Sequence, residues 1–181
     1  CCKQYSPDCR LVFNMKKKTF SITTKNKNLV MKWIRTPKDI WNKLSKEFNF
    51  TVDACASNKN HLIAKYWTKE NSALDKNWDG EIVYCHPMYD IHIPKFVRKA
   101  IESKCLTVFL LPASTNAKYF HDFLWDNKKH KPRKDVEIRF LPVPNVKNGK
   151  THGYKFLTDD YEEPKYGYLR PLMVVIIDKK V

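Results

Sequence analysis

Apolar positions along this chain change period several times, and each change predicts an element. Behind Thr36-Pro37, the residues Ile40, Trp41, Leu44 and Phe48 recur at helical spacing, so a helix is predicted with Thr36 as its cap and Pro37 in its first turn. Phe50 to Ala56 is a short β-prone run ending in small residues; it reads as a strand and a tight turn, with a helix following around Lys59 to Lys65. Ile82-Val83-Tyr84-Cys85 has the composition of a buried strand and runs into His86-Pro87-Met88-Tyr89, where proline halts the ladder and a loop begins. A helix is predicted from Pro94 to Ser103, then an apolar strand from Leu106 to Leu111 stopped by Pro112, then a helix from Ser114 to about Trp125. Beyond a basic loop at Lys128 to Lys134, Val136 to Leu141 alternates as a strand does, and Leu172 to Ile177 is apolar and β-branched. Strands alternating with helices predict an α/β domain, a mostly parallel central sheet with helices on both faces.

Two stretches break the pattern. Residues 1 to about 32 are polar and basic with little sustained periodicity, and they read as a partly disordered arm ahead of one domain over 33–181. Pro142 to Pro171 carries three of the chain's four glycines together with several tyrosines, and it reads as a long connection before the last strand. Connections of that length inside a compact domain are usually functional or disordered. Tyr154, Tyr161, Tyr166 and Tyr168 are candidates there for holding a nucleic-acid strand. Trp33, Trp41, Trp67 and Trp78 have apolar neighbours and read as core or staple residues.

Charge changes the picture most. Thirty-four Lys and Arg against nineteen Asp and Glu leave a formal charge of +15. A compact chain carries that at a cost in self-repulsion which a polyanion offsets, so nucleic acid is the expected partner, ahead of a basic surface kept for solubility and of a membrane. Lys128, Lys129, Lys131, Arg133 and Lys134, with Lys16, Lys17 and Lys18 of the arm, are the expected phosphate contacts, although a solvated tail accounts for the arm equally well. The six cysteines form no CxxC pair, and three lie in apolar runs as small hydrophobes, so neither a metal site nor a disulfide framework is expected. No stretch approaches the roughly 18 uninterrupted apolar residues that span a bilayer, and no signal-peptide pattern is present. The expectation is a soluble, intracellular, cytoplasmic protein, in the host cell if viral. Position 1 is Cys rather than Met, as in a fragment.

Taken in order, Trp33-Ile34-Arg35-Thr36-Pro37, Val52-Asp53-Ala54-Cys55-Ala56-Ser57, Trp78-Asp79-Gly80, His86-Pro87-Met88-Tyr89, Leu110-Leu111-Pro112-Ala113 and Arg170-Pro171-Leu172-Met173-Val174-Val175 resemble the landmarks of phage adenine-N6 DNA methyltransferases. The resemblance spans roughly Trp33 to Asp178, and it rests on the shared order and spacing of motifs that are short individually. It implies a Rossmann-like methyltransferase fold, S-adenosyl-L-methionine as donor, and transfer to the exocyclic amine of adenine in DNA.

The lone pair of adenine N6 is delocalised into the ring and attacks a sulfonium methyl poorly, so the amine must be held and repolarised. In the family that this chain resembles, an Asp/Asn-Pro-Pro-Tyr loop sets a side-chain oxygen and a proline carbonyl against the amine hydrogens and stacks its ring on the base. Here His86 takes the Asp/Asn position and Met88 the second proline, while Pro87 keeps its carbonyl and Tyr89 its ring. A neutral imidazole offers one acceptor nitrogen, so the resemblance assigns catalysis to His86, Pro87, Met88 and Tyr89. By the same resemblance, Asp53, Ala54, Cys55, Ala56 and Ser57 contact the methionine part of the cofactor. Thr36 and Pro37 close over it, and Glu70 and Asn71 lie where ribose or adenine contacts fall. Asp53 reads equally as a cap for the helix predicted behind it. Two other readings stand beside this one: a nucleic-acid-binding protein that keeps the fold without catalysis, and an enzyme acting on RNA or on the N4 amine of cytosine.

Overall fold

The computed structural model describes residues 9–14, 19–24, 35–142, 146–147, 150–151, 153–157, 167–168 and 170–179. The chain forms two compact units, Cys1–Lys32 and Trp33–Val181. In the first, β1 (Cys9–Asn14) and β2 (Thr19–Thr24) pair antiparallel, Cys9 opposite Thr24 and Asn14 opposite Thr19. The signal for this ladder is the alternation Thr19-Phe20-Ser21-Ile22-Thr23, a period of two inside a stretch read as aperiodic. Lys16, Lys17 and Lys18 lie outside the described residues, as do Trp33, Tyr161 and Tyr166.

The second unit is built on β3 (Val52–Asp53), β4 (Ile82–Cys85) and β5 (Leu106–Pro112), followed by a small hairpin of β6 (Trp125–Asp126) and β7 (Lys131–Pro132). Then come β8 (Val136–Phe140), the paired β9 (Val146–Lys147) and β10 (Lys150–Thr151), and β11 (Leu172–Asp178). Five of these make the central sheet in the order β3-β4-β5-β11-β8. β3, β4 and β5 are mutually parallel, and β11 is antiparallel to both β5 and β8. Four of the five strands therefore share one direction, and β11 alone runs against them.

Both faces are covered, which is why the central strands read as unbroken apolar runs. On one face, Tyr84, Val108, Leu110, Leu172, Val174 and Ile176 meet Ile40 and Leu44 of α1 (Lys38–Glu47) and Phe156 of the connection. On the other, Val83, Cys85, Phe109, Leu111, Met173 and Val175 meet Val97 and Ala100 of α2 (Ile93–Glu102) and Leu124 of a π-helical turn at Phe120–Leu124. Successive residues alternate between the two cores with the pleat. α1 is fixed at its far end by Glu47, which takes two bonds of 2.7 Å from the Arg139 guanidinium on β8.

Three predicted features differ. Pro37, not Thr36, is the N-cap of α1, and no side chain caps it. The stretch Lys59 to Lys65 makes turns rather than a helix, because its backbone is claimed by distant partners: Leu62 N–H donates to Asp53 Oδ2 and Lys65 O accepts from Asp53 N–H. The helix predicted from Ser114 to Trp125 is confined to residues 118–124, of which Phe120–Leu124 is π-helical. Trp67 and Trp78 are buried in the core, Trp78 donating its indole N–H to Ala73 O at 2.8 Å.

Candidate active site

The segments singled out from the sequence converge at the C-terminal ends of β3 and β4. Ala54 N–H donates to Tyr84 O at 2.8 Å, so the small residues after β3 run directly beside the end of β4. The thiols of Cys55 and Cys85 stand 3.5 Å apart, both free. A parallel bridge between Asp53 and Tyr66 carries Thr68 to Asn71 toward the same end of the sheet, which leaves Glu70 and Asn71 on an exposed turn there. Arg35 ties the segment before α1 to both neighbours: its N–H donates to Leu157 O at 2.7 Å and its guanidinium donates to Lys59 O.

Thr36, freed from capping, reaches across this end instead. Its hydroxyl shares bonds with Tyr84 Oη at 2.7 Å and with His86 Nδ1 at 3.0 Å, and His86 Nε2 shares one with Tyr89 Oη at 3.0 Å. Both nitrogens of the imidazole are thus engaged within the protein. His86 is 6% exposed, and burial drives its pKa down to about 3, so the ring is neutral throughout the physiological range. A residue that stays neutral to so low a pH is a poor proton acceptor for an amine. Burial also pushes the hydroxyls of Tyr84 and Tyr89 well above their usual pKa, which keeps them as hydroxyls. Pro87 is buried, while Met88 and Tyr89 are half-buried, and Met88 O accepts from Asp90 N–H at 2.8 Å in the turn that leads into α2.

Asp53 is the second buried polar group. Desolvation raises its pKa to about 6, against the bonds its carboxylate accepts from the N–H groups of Leu62 at 3.2 Å and Cys55 at 3.3 Å. It pins the turns after β3 rather than capping a helix. Aromatic rings from the long connection close the site: Phe156 lies 5.7 Å from the His86 ring, and Tyr168 lies 5.4 Å from that of Tyr89. Tyr154 and Tyr168, both half-buried, are joined by an antiparallel bridge, so they are built into the wall.

A family model described as DNA N-6-adenine-methyltransferase (Dam) matches residues 21–155 of this chain. The chain belongs to that family. The matched stretch contains α1, the turns after β3, the His86 to Tyr89 loop and all of β5 and β8. No curated protein matches the chain. Membership carries the family's activity, DNA N6-adenine methylation, and makes DNA the substrate. Within the matched stretch, the His86 to Tyr89 loop opens on a buried neutral histidine bonded on both sides. Among the described residues no group of His, Cys, Asp and Glu could hold a metal, and no helix is long and apolar enough to cross a membrane.

The basic cluster predicted at Lys128 to Lys134 lies elsewhere. Val136 stands level with Thr107 and Val83 across the sheet, whereas His86 lies three residues beyond Val83 and three strands away. That separates them by roughly 10 Å along the strands and roughly 14 Å across them. The Lys128 to Lys134 hairpin precedes Val136, so it sits at the opposite end of the sheet from the candidate site. It borders a cleft of about 870 Å³ lined by five basic side chains, Lys131 and Arg133 among them, and by four carboxylates. Sequence reasoning missed two residues of the site. Tyr84 read as core, and its hydroxyl announces itself only when Thr36 arrives. Phe156 lay in a stretch without periodicity.

Proposed function

We propose that this Dam-family chain is a Rossmann-like methyltransferase that holds S-adenosyl-L-methionine at the C-terminal ends of β3 and β4. The observation that carries the reading is convergence: Thr36, the Asp53 to Ser57 turn and the His86 to Tyr89 loop come from three separate segments to one end of a sheet, where open α/β sheets take their ligands. The residues present fit the donor. Ala54, Cys55 and Ala56 allow close approach to the backbone, Asp53 supplies a carboxylate for an ammonium group, and Thr36-Pro37 borders the space. Glu70 and Asn71, on their exposed turn, suit the more polar ribose end. When bound, S-adenosyl-L-methionine supplies an electrophilic methyl group on a sulfonium.

The chain's own part is to position and to exclude water. The Pro87 carbonyl accepts a hydrogen bond from the adenine amine, the Tyr89 ring offers a stacking face, and Met88 fills the loop between them. His86 serves as an amine acceptor only if Nε2 is released by Tyr89 and carries no hydrogen. The target base cannot reach this pocket while stacked in a duplex and is flipped or supplied unpaired. Lys128, Lys129, Lys131, Arg133 and Lys134, with Lys16, Lys17 and Lys18, contribute phosphate attraction rather than chemistry. The test pairs calorimetric titration of S-adenosyl-L-methionine with transfer of its labelled methyl group to an adenine-containing oligonucleotide. Saturable binding and label recovered in N6-methyladenine are expected. Neither heat nor label at millimolar donor overturns the reading.

A further inference from the structure

Cys85 closes β4, and Cys55 lies two residues past β3 in the bend that follows Asp53. Ala54 N–H donates to Tyr84 O at 2.8 Å, which holds the two backbones side by side. Both cysteines pack against the same core, and their sulfurs meet 3.5 Å apart. A disulfide bond is about 2 Å long, so each sulfur has less than about 1 Å to travel. Buried cysteines ordinarily serve as small apolar side chains. Contact and unequal exposure set this pair apart. Cys85 is fully buried, and burial pushes its thiol well above the usual pKa, whereas Cys55 is half-buried and open to a small oxidant. Redox-sensing cysteines have this form, an accessible sulfur beside a resolving one. Neither thiol takes part in the hydrogen bonds that hold His86, and among the described residues no group of His, Cys, Asp and Glu could hold a metal. Cys105 precedes β5 at the other end of the sheet, bonded to Thr107 Oγ1 at 3.2 Å.

The geometry points to Cys55 and Cys85 as a dithiol that hydrogen peroxide oxidises to a reversible disulfide, closing the turn after β3 onto the end of β4 and weakening the hold on the methyl donor. The Cys55 sulfur, as thiolate, attacks one peroxide oxygen. Its S–O bond forms, the O–O bond breaks, and the leaving oxygen takes up the proton that Cys55 released and departs as water. The Cys85 sulfur then attacks the sulfenic sulfur of Cys55. The S–S bond forms, the S–O bond breaks, and the hydroxyl leaves with the Cys85 proton as a second water. Two thiols are thus oxidised and one peroxide reduced, and a dithiol reductant restores both thiols by exchange. The effect on the donor rests on the function proposed above. Cys55 belongs to the turn assigned there to the methionine part, and His86 follows Cys85 directly. Drawing the sulfurs together therefore shifts both segments, and a misplacement of about 1 Å is enough to disable a positioned site.

In the test, reduced protein is treated with hydrogen peroxide, its remaining thiols are alkylated in denaturant, and its peptides are mapped by mass spectrometry. A peptide pair joined through Cys55 and Cys85, lighter by two hydrogens than its separate halves and parted by dithiothreitol, is expected. Cys105 should be recovered alkylated. Both cysteines recovered as alkylated thiols, Cys55 recovered as sulfinic acid, or Cys55 joined to any other cysteine overturns the proposal. Calorimetric titration of S-adenosyl-L-methionine into the reduced and the oxidised protein reads the consequence. Affinity is expected to be at least about tenfold weaker after oxidation and to return with dithiothreitol. Equal affinity in the two states overturns the effect on the donor. Cys85→Ala cannot form the bond and is expected to keep its own reduced affinity through the same treatment. A loss as large as that of the wild type gives the effect to Cys55 alone and overturns the disulfide as its cause. A protein that forms the bond yet takes no donor in either state overturns the function proposed for the site, and with it the effect on the donor, while the bond itself stands.

Discussion

His86, just past β4, and Lys131, on the hairpin before β8, lie beyond opposite ends of one five-stranded sheet, and their surroundings have little in common. Around His86 the groups are buried, neutral and bonded to each other through hydroxyls. Around Lys131 they are exposed and charged, with Asp126 accepting the N–H groups of Lys128 and Lys129 at 3.0 and 3.1 Å to hold the turn. Low dielectric makes every dipole at the first end count, while water and salt at the second leave only a soft attraction for polyanions. The Lys128 to Lys134 charge therefore lies away from the candidate site, at the other end of the strands.

That separation breaks first at His86. Replacing it by alanine removes the bond to Tyr89 and leaves Thr36 with Tyr84 alone, so methyl transfer is expected to fall at least about a hundredfold while donor affinity stays within a few fold. Steady-state transfer rates beside calorimetry measure both quantities. Equal losses in each would show that the ring supports the fold rather than the reaction.

The next effect is on stability. His86 has a folded pKa of about 3, below its usual value, so the unfolded chain takes up a proton first and stability falls as pH drops below about 6.5. At pH 5 that costs roughly 2 kcal/mol. Asp53 acts in the opposite sense: with its folded pKa raised to about 6, its protonation favours the fold as pH falls through 6 toward 4. Denaturant melts of wild type and His86→Gln from pH 8 to pH 5 should therefore diverge, the variant keeping more of its stability in acid. Parallel curves would mean that the ring is hydrated.

A tenfold effect is expected in donor binding. If the Asp53 carboxylate meets the ammonium of S-adenosyl-L-methionine, only its ionised form binds well. Affinity should then be steady above pH 7 and fall about tenfold by pH 5, one unit below its pKa. Asp53→Asn should abolish that dependence. A flat profile in the wild type assigns Asp53 to the turns alone.

The smallest change belongs to the far end. Lys131→Gln with Arg133→Gln should weaken DNA binding several-fold and reduce the salt slope by roughly one per charge removed, with kcat unchanged. The four carboxylates lining the same cleft already offset part of this charge, which is why the effect is modest. A fall in kcat would bring the two ends back into one site.

Much of this was legible in the chain, because burial writes itself into period. The unbroken run Leu106 to Leu111 announces a strand covered on both faces, Ile40, Leu44 and Phe48 mark the inward side of α1, and the ordered motifs from Thr36 to Val175 point to the methyltransferase family before any coordinate is known. Local pattern reports which faces meet the core, but it is silent about which distant partner claims a given polar group. So Lys59 to Lys65 looks helical until Asp53 takes the N–H of Leu62, and Thr36 looks like a cap until it is found bonded to a histidine fifty residues away. The antiparallel insertion of β11 between β5 and β8, the wall made by Phe156 and the linking of Tyr84, Thr36, His86 and Tyr89 into one hydrogen-bonded chain were decided by tertiary structure alone. Each depends on how segments distant in the chain pack against one another, which no local period records.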